Sequence, residues 1–222
     1  MKTNLPIKLS SGKLWNLDVP LLAILVLAMA LRLFGIGFQG AWLDELHTLI
    51  ESDPKLSLRQ FNDVIMFREG IPHFYFLVIR FLSVVFGDSL ILARLVSAFA
   101  GIGTVYGVFC LGRELYSRNA GYIAALLISV NLFHIEYSQE ARSYAMLTFF
   151  VVMAFYRLMV FIRVPSYRNA VFLGIFAGLI PNAHPIGLVN VVALYFVLFV
   201  IMLLRPVPDR KLFFKLTVVS GI

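Results

Sequence analysis

The stretch HFYFLVIRFLSVVF, His73 to Phe86, is the one whose reading decides the fold. It is apolar, but it has about 14 residues and carries Arg80 at its centre, whereas a spanning helix takes roughly 17–25 mostly apolar residues. Working outward, apolar runs follow at Pro20–Phe38, Leu90–Leu111, Ala120–Tyr137, Tyr144–Ile162, Ala170–Pro181 and Ile186–Leu204. A last run, Leu212–Ile222, reaches about halfway across a bilayer. With the N-terminus cytoplasmic and His73–Phe86 lying in the outer interface, 12 of the 19 basic residues fall on the cytoplasmic side. If His73–Phe86 crosses, the nine beyond residue 100 move outside and the positive-inside bias reverses. The sequence therefore predicts an all-α polytopic membrane protein with about six complete transmembrane helices and a partial seventh.

Composition leads to the same class. Of 222 residues, 60% are hydrophobic and 14% charged, against about 45–50% and 25% in soluble domains. These figures exclude a soluble domain, a disordered chain, a disulfide scaffold (Cys110 is the sole cysteine) and a nucleic-acid module. The net charge of +7 is then a matter of topology, not of a polyanionic partner. Residues 1–18, with Lys2, Lys8 and Lys13, form a cytoplasmic N-terminus ahead of a signal-anchor helix. Residues 39–89 form a first outer loop with amphipathic, interfacial helices, long enough to suggest function. Nine of the 12 acidic residues and His47, His73, His134 and His184 fall on the outer side, which ordinary loop polarity would also produce. Gly103–Gly107 and Gly174–Gly178 read as helix-packing pairs.

Four outer-face constellations are candidates for chemistry. In Ala41-Trp42-Leu43-Asp44-Glu45-Leu46-His47, two adjacent carboxylates cannot share a helix face, so one can enter a cavity while the other binds a cation or caps a helix. A carboxylate at the membrane surface, shielded by Trp42 and Leu43, suits a general base, and a helix N-terminus with acids in its first turn explains the pair as well. In His134-Ile135-Glu136-Tyr137-Ser138-Gln139-Glu140-Ala141-Arg142, the charges must be hydrated or paired. Arg142 has the fork geometry for phosphate, and a structural Glu140–Arg142 contact is the alternative. The other two are Asn182-Ala183-His184-Pro185, where a hydrogen-bonded interfacial histidine is the plainer reading, and Arg68-Glu69-Gly70-Ile71-Pro72-His73.

The order of these features resembles the N-terminal part of GT-C class glycosyltransferases, the superfamily of protein O-mannosyltransferases and bacterial aminoarabinose transferases. The residues that carry it are Asp44-Glu45, then Pro72-His73-Phe74-Tyr75-Phe76, then Gly87-Asp88-Ser89 with Ala93-Arg94-Leu95. Gly112-Arg113-Glu114-Leu115-Tyr116 follows, and Tyr137-Ser138-Gln139-Glu140-Ala141-Arg142-Ser143-Tyr144-Ala145 is the most specific piece. Gly70-Ile71 and His73 depart from a pattern of an acid or lysine before Pro-Pro. The likeness covers roughly residues 19–205, so 19–222 is expected to be an incomplete GT-C-like module, about the first half of a typical member.

The resemblance implies transfer of a sugar from a polyprenyl-phosphate donor to a hydroxyl acceptor, with inversion, at the periplasmic face of a bacterial plasma membrane. Asp44 would activate the acceptor; Glu45, Glu140, Arg142 and Tyr144 would bind substrate or phosphate. A divalent metal would sit on Glu45, Glu140 and His184; no organic cofactor and no nucleic acid are expected. The competing readings are a non-catalytic fragment and a transport or assembly protein with an outer-face cation site. Transporter sites normally lie at the bilayer midplane, not at one surface.

Overall fold

The computed structural model describes residues 18–68, 74–204 and 210–221. Those residues form helices and connecting turns, with no strand among them. In chain order the helices are α1 (Val19–Leu33), α2 (Leu43–Glu51), α3 (Leu58–Arg68), α4 (Phe74–Phe86), α5 (Leu90–Leu115) and α6 (Arg118–Ser129). After them come α7 (Leu132–Gln139), α8 (Tyr144–Arg163), α9 (Tyr167–Ala183), α10 (Gly187–Leu204) and α11 (Arg210–Gly221).

Their starts are written in the sequence. Asp18, Ser89, Ser117, Asn131 and Ser166 each accept a hydrogen bond from the second or third backbone N–H of the helix they open, satisfying donors that a helix start otherwise leaves unpaired. Two ends are set by glycine: Gly35 (φ 72°) follows α1 and Gly87 (φ 86°) follows α4, backbone angles that side chains with a Cβ rarely adopt.

Helix α5 is the axis of the bundle. It packs against α8, α6, α1 and α7, and α9 and α10 extend the layer beyond α8. One core joins α4, α5, α8, α9 and α10 through Phe76, Ile79, Phe150, Leu158, Leu173 and Leu194. A second joins α1, α5, α6 and α8 through Leu21, Ala28, Phe109, Ala125 and Tyr156. Gly103 and Gly107 let α5 approach α8, since a Cβ at either would lie 2.9 Å from Phe149 or Val152. Gly174 faces α11 in the same way, but Gly178 meets nothing within 4 Å. Large apolar side chains also face outward, among them Val26, Phe81, Phe99, Leu127, Val192 and Phe199. Helices apolar both inside and out are what a lipid solvent selects.

Helices α5, α8 and α10 are long and apolar enough to cross a bilayer, and the pair α6–α7 makes a fourth if read as one broken span. The expected count of about six is therefore not reached on length and apolarity. The run Ala120–Tyr137, expected as one helix, is bent by 62° at Val130-Asn131 because Asn131 caps a new helix. Helices α1 and α4 are shorter apolar helices, of 15 and 13 residues. Arg80 in α4 is not stranded in lipid: its guanidinium donates to the backbone carbonyls of Asp53, Pro54 and Leu56 and lies 5.2 Å from the Phe61 ring. That cage ties α4 to the loop between α2 and α3. Of the candidate stretch that began at Arg68, residues 69–73 lie outside the described residues, as do Lys2, Lys8 and Lys13.

Candidate active site

The site is built on the first turn of α2. Trp42 opens the helix, and the Glu45 carboxylate reaches back to accept the Trp42 backbone N–H at 3.1 Å. Three residues into a helix, that carboxylate must point inward, and it is 1% exposed. Its Oε1 accepts from Arg94 Nε (2.8 Å) and from the Ala141 backbone N–H (2.8 Å), and its Oε2 accepts from Arg94 Nη2 (2.7 Å) as well as Trp42. Burial alone would raise the Glu45 pKa, but these four donors and the Arg94 charge hold it below the usual carboxylate range.

Arg94, on α5, uses its whole fork. Besides Glu45 it donates to the carbonyls of Ile36 (2.8 Å), Gln39 (2.9 Å) and Gly40 (3.2 Å), so all five guanidinium N–H groups have acceptors. The turn after α1, the start of α2 and the α7–α8 junction are thus fastened to the Arg94–Glu45 pair, the last through the Ala141 N–H on Glu45. Sequence reasoning quoted Arg94 only as part of a motif; a charged residue inside an apolar helix was the available signal.

Asp44 does the opposite of its neighbour. Its side chain is exposed, and among the described residues it has no hydrogen-bond or ion-pair partner. It lines a cleft of about 230 Å³ with Trp42, Leu43, Glu45, Glu140 and Arg142. The structure thus brings Asp44, Glu140 and Arg142 together from two separate elements. Glu140 ends α7, so the i, i+4 partnership with Glu136 does not form one helical face. Burial, the Glu45 and Glu136 carboxylates and Asp44 push the Glu140 carboxyl upward against the pull of Arg142. The Glu140–Arg142 contact is between backbones, the Arg142 N–H donating to the Glu140 carbonyl at 2.8 Å. The Arg142 guanidinium donates weakly to the Asp44 carbonyl (3.4 Å) and lies 6.0 Å from the Tyr144 ring.

Tyr144 lines a second cavity of about 510 Å³, with Ile128, Asn131, Phe133, His134, Tyr137 and Thr148. Its ring lies 5.4 Å from Tyr137 and 5.5 Å from His184. His184 is therefore placed against an aromatic ring, with Nδ1 accepting the Ile186 N–H at 3.2 Å. The expected metal set of Glu45, Glu140 and His184 does not assemble. Both Glu45 oxygens are taken by N–H donors, and among the described residues no three His, Cys, Asp or Glu side chains converge as ligands.

Behind the cleft lies a second buried arginine. Arg32, fully buried near the end of α1, donates to the carbonyls of Ala28 (3.1 Å), Ser129 (3.1 Å) and Ile128 (3.2 Å) and to His134 Nδ1 (2.8 Å). It places a cation on the carbonyl end of α6, where the helix dipole favours one. Gln139 answers from α7, donating to the carbonyls of Leu31 (3.2 Å), Arg32 (3.3 Å) and Phe34 (2.8 Å). The 62° bend is held from both sides, directly upstream of Glu140 and Arg142.

No curated protein and no solved structure matches the chain. The family of dolichyl-phosphate-mannose-protein mannosyltransferases matches residues 71–221, a range that holds Arg94, Glu140, Arg142, Tyr144 and His184 and begins after Asp44 and Glu45. With apolar helices of membrane-spanning length and a match over more than half of its residues, this chain belongs to the dolichyl-phosphate-mannose-protein mannosyltransferase family, integral membrane glycosyltransferases of the GT-C type.

Proposed function

We propose that the cleft transfers a sugar from a polyprenyl-phosphate donor to a hydroxyl acceptor at the outer, periplasmic face of the membrane. The observation that carries this reading is the division of labour between two adjacent acids: Glu45 is locked into Arg94, and Asp44 stands free in a cleft beside Arg142. A free carboxylate is what a general base requires.

In the proposed step Asp44 takes the proton of the acceptor hydroxyl as its oxygen attacks the anomeric carbon. The bond from that carbon to the phosphate oxygen breaks, its electron pair leaves with the polyprenyl phosphate, and a single displacement inverts the anomeric configuration. Arg142 faces the charge that grows on the departing phosphate, a task suited to a fork-shaped cation. The cavity that Tyr144 lines, about 510 Å³ and largely apolar, suits the isoprene units nearest the phosphate. The basic residues of α5–α6 and α8–α9 turns at the opposite end favour a cytoplasmic placement for that end, and so an outer placement for the cleft.

The test is Asp44→Asn in membranes carrying the full chain, supplied with radiolabelled polyprenyl-phosphate sugars. Loss of a general base lowers transfer about 10²–10⁴-fold, with insertion and melting temperature unchanged because Asp44 has no partner to lose. Transfer at the unmodified rate would sink the assignment.

A further inference from the structure

The far end of the bundle carries three arginines whose guanidinium groups rest on aromatic rings and, among the described residues, have no hydrogen-bond or ion-pair partner. Along α5, Arg113 lies 19 residues beyond Arg94, about 28 Å at 1.5 Å per residue. Arg157 lies in the second half of α8, and Arg168 in the first turn of α9. The Arg157 guanidinium sits 4.5 Å from the Phe172 ring centroid and 5.6 Å from that of Tyr156, and Arg168 lies 5.8 Å from the same Phe172 ring. Arg113 stacks on Phe109 at 5.5 Å. Among the described residues none of these three has a hydrogen bond or ion pair, and Arg157 Nε is buried without an acceptor. The nearby carboxylates are already used: Glu114 pairs with Arg163 at 3.1 Å, and Asp18 pairs with Arg118 and Tyr122.

Ring faces hold guanidinium planes in place but accept few of their N–H groups. Two cations against one phenyl ring repel each other until an anion lies between their edges. Arginine forks match phosphate oxygens. The depth also fits, because the ends of membrane-spanning helices reach the headgroup layer, where basic pockets between helices take anionic headgroups.

We infer that Arg113, Arg157 and Arg168 form a binding site for the phosphate of an anionic phospholipid headgroup. The site lies at the end of the bundle away from the cleft, and its occupation stands or falls independently of sugar transfer.

The experiment is native mass spectrometry of the full chain released from micelles containing equal phosphatidylglycerol and phosphatidylcholine. The unmodified chain is expected to keep phosphatidylglycerol in preference. Arg157→Gln and Arg168→Gln each lower that retention about fivefold, the value of one basic residue near an anionic headgroup. Arg118→Gln, at the same end but paired with Asp18, leaves it unchanged. Equal retention of both lipids overturns the site, as does an Arg118→Gln loss as large as the others, which would mean diffuse surface charge. Displacement of the lipid by millimolar inorganic phosphate would mean a free-phosphate site instead. Arg168 is exposed and, among the described residues, its side chain has no hydrogen bond or ion pair, so its variant decides the matter even if Arg157→Gln fails to fold.

Discussion

Glu45→Gln tests whether the cleft rests on a buried ion pair. Four N–H donors converge on the two oxygens of Glu45 at 2.7–3.1 Å. A glutamine offers one oxygen and one NH₂, so whichever way it is turned, two donors face another donor. Arg94 would also lose its counter-charge while 3% exposed. Breaking a buried pair from one side costs about 3–5 kcal/mol. For a chain of this size each kcal/mol moves the melting temperature by about 2–4 °C, giving a fall of roughly 6–20 °C. The assay is built in, because Cys110 is the sole cysteine and is 2% exposed. A thiol-reactive fluorophore therefore reports unfolding of the purified chain in detergent as that thiol opens. Asp44→Asn, one residue away and equally isosteric, is the control and should move the midpoint by under about 3 °C, in line with other substitutions away from buried contacts. Equal midpoints for the two variants would refute the reasoning. So would additive losses in the Glu45→Gln, Arg94→Gln double variant, since residues sharing hydrogen bonds must couple.

Further outcomes follow from the same contacts. The Glu45 pKa lies below its unfolded value, so its contribution is present above the ordinary carboxylate range and lost as pH falls through the lowered folded value; the Glu45→Gln deficit should shrink in acid melts and persist at neutral pH. Glu140 is shifted upward, so its ionisation costs stability as pH rises; Glu140→Gln should melt higher than the unmodified chain at neutral pH, with the gain gone below the unfolded glutamate pKa. Gly101→Ala puts a Cβ 2.2 Å from Ser138 Oγ and 3.1 Å from Arg32 Nε, an overpacking worth about 1–3 kcal/mol and visible as a lower midpoint in the same thiol assay. Arg32→Met leaves the Ser129 carbonyl without its donor and should cost about 1–3 kcal/mol, with Arg32→Lys recovering only part because one ammonium cannot reach Ser129, Ile128 and His134 together; full recovery by lysine would contradict the capping role.

Sequence reading reached the helices and the split between Asp44 and Glu45, because both follow from local geometry. Adjacent residues on a helix diverge by about 100°, so one acid had to turn away from the other. The convergence of Asp44 with Glu140 and Arg142 on one cleft was not legible in the sequence, because it depends on how α2 packs against the α7–α8 junction. Sequence reading missed the break at Asn131, because continuous apolarity from Ala120 to Tyr137 masks a helix start inside it. Arg32 and Arg94 were invisible as anchors for another reason. Apart from Ala28, their partners lie 49 to 102 positions away, and a charge in an apolar run announces that it needs a partner without saying which. For His184 the plainer reading, a hydrogen-bonded interfacial histidine, is what its contacts with Ile186 and Tyr144 match.

The two anchors bear on how a cleft with three carboxylates can receive a phosphate at all. Glu45 is neutralised by Arg94 as a pair, so its charge reaches the cleft only weakly. Glu140 is pushed towards its protonated form first by burial and then by the carboxylates around it, which removes part of a second negative charge. Asp44 is exposed, and among the described residues its side chain has no hydrogen-bond or ion-pair partner. Environments that drive neighbouring carboxyls apart are how one site comes to hold both an acid and a base. On that reasoning the proposed base is Asp44, the acid whose side chain makes no hydrogen bond among the described residues. Arg94, Arg32 and Gln139 act earlier in the chain of causes, by fixing the backbone from which Asp44 and Arg142 approach each other.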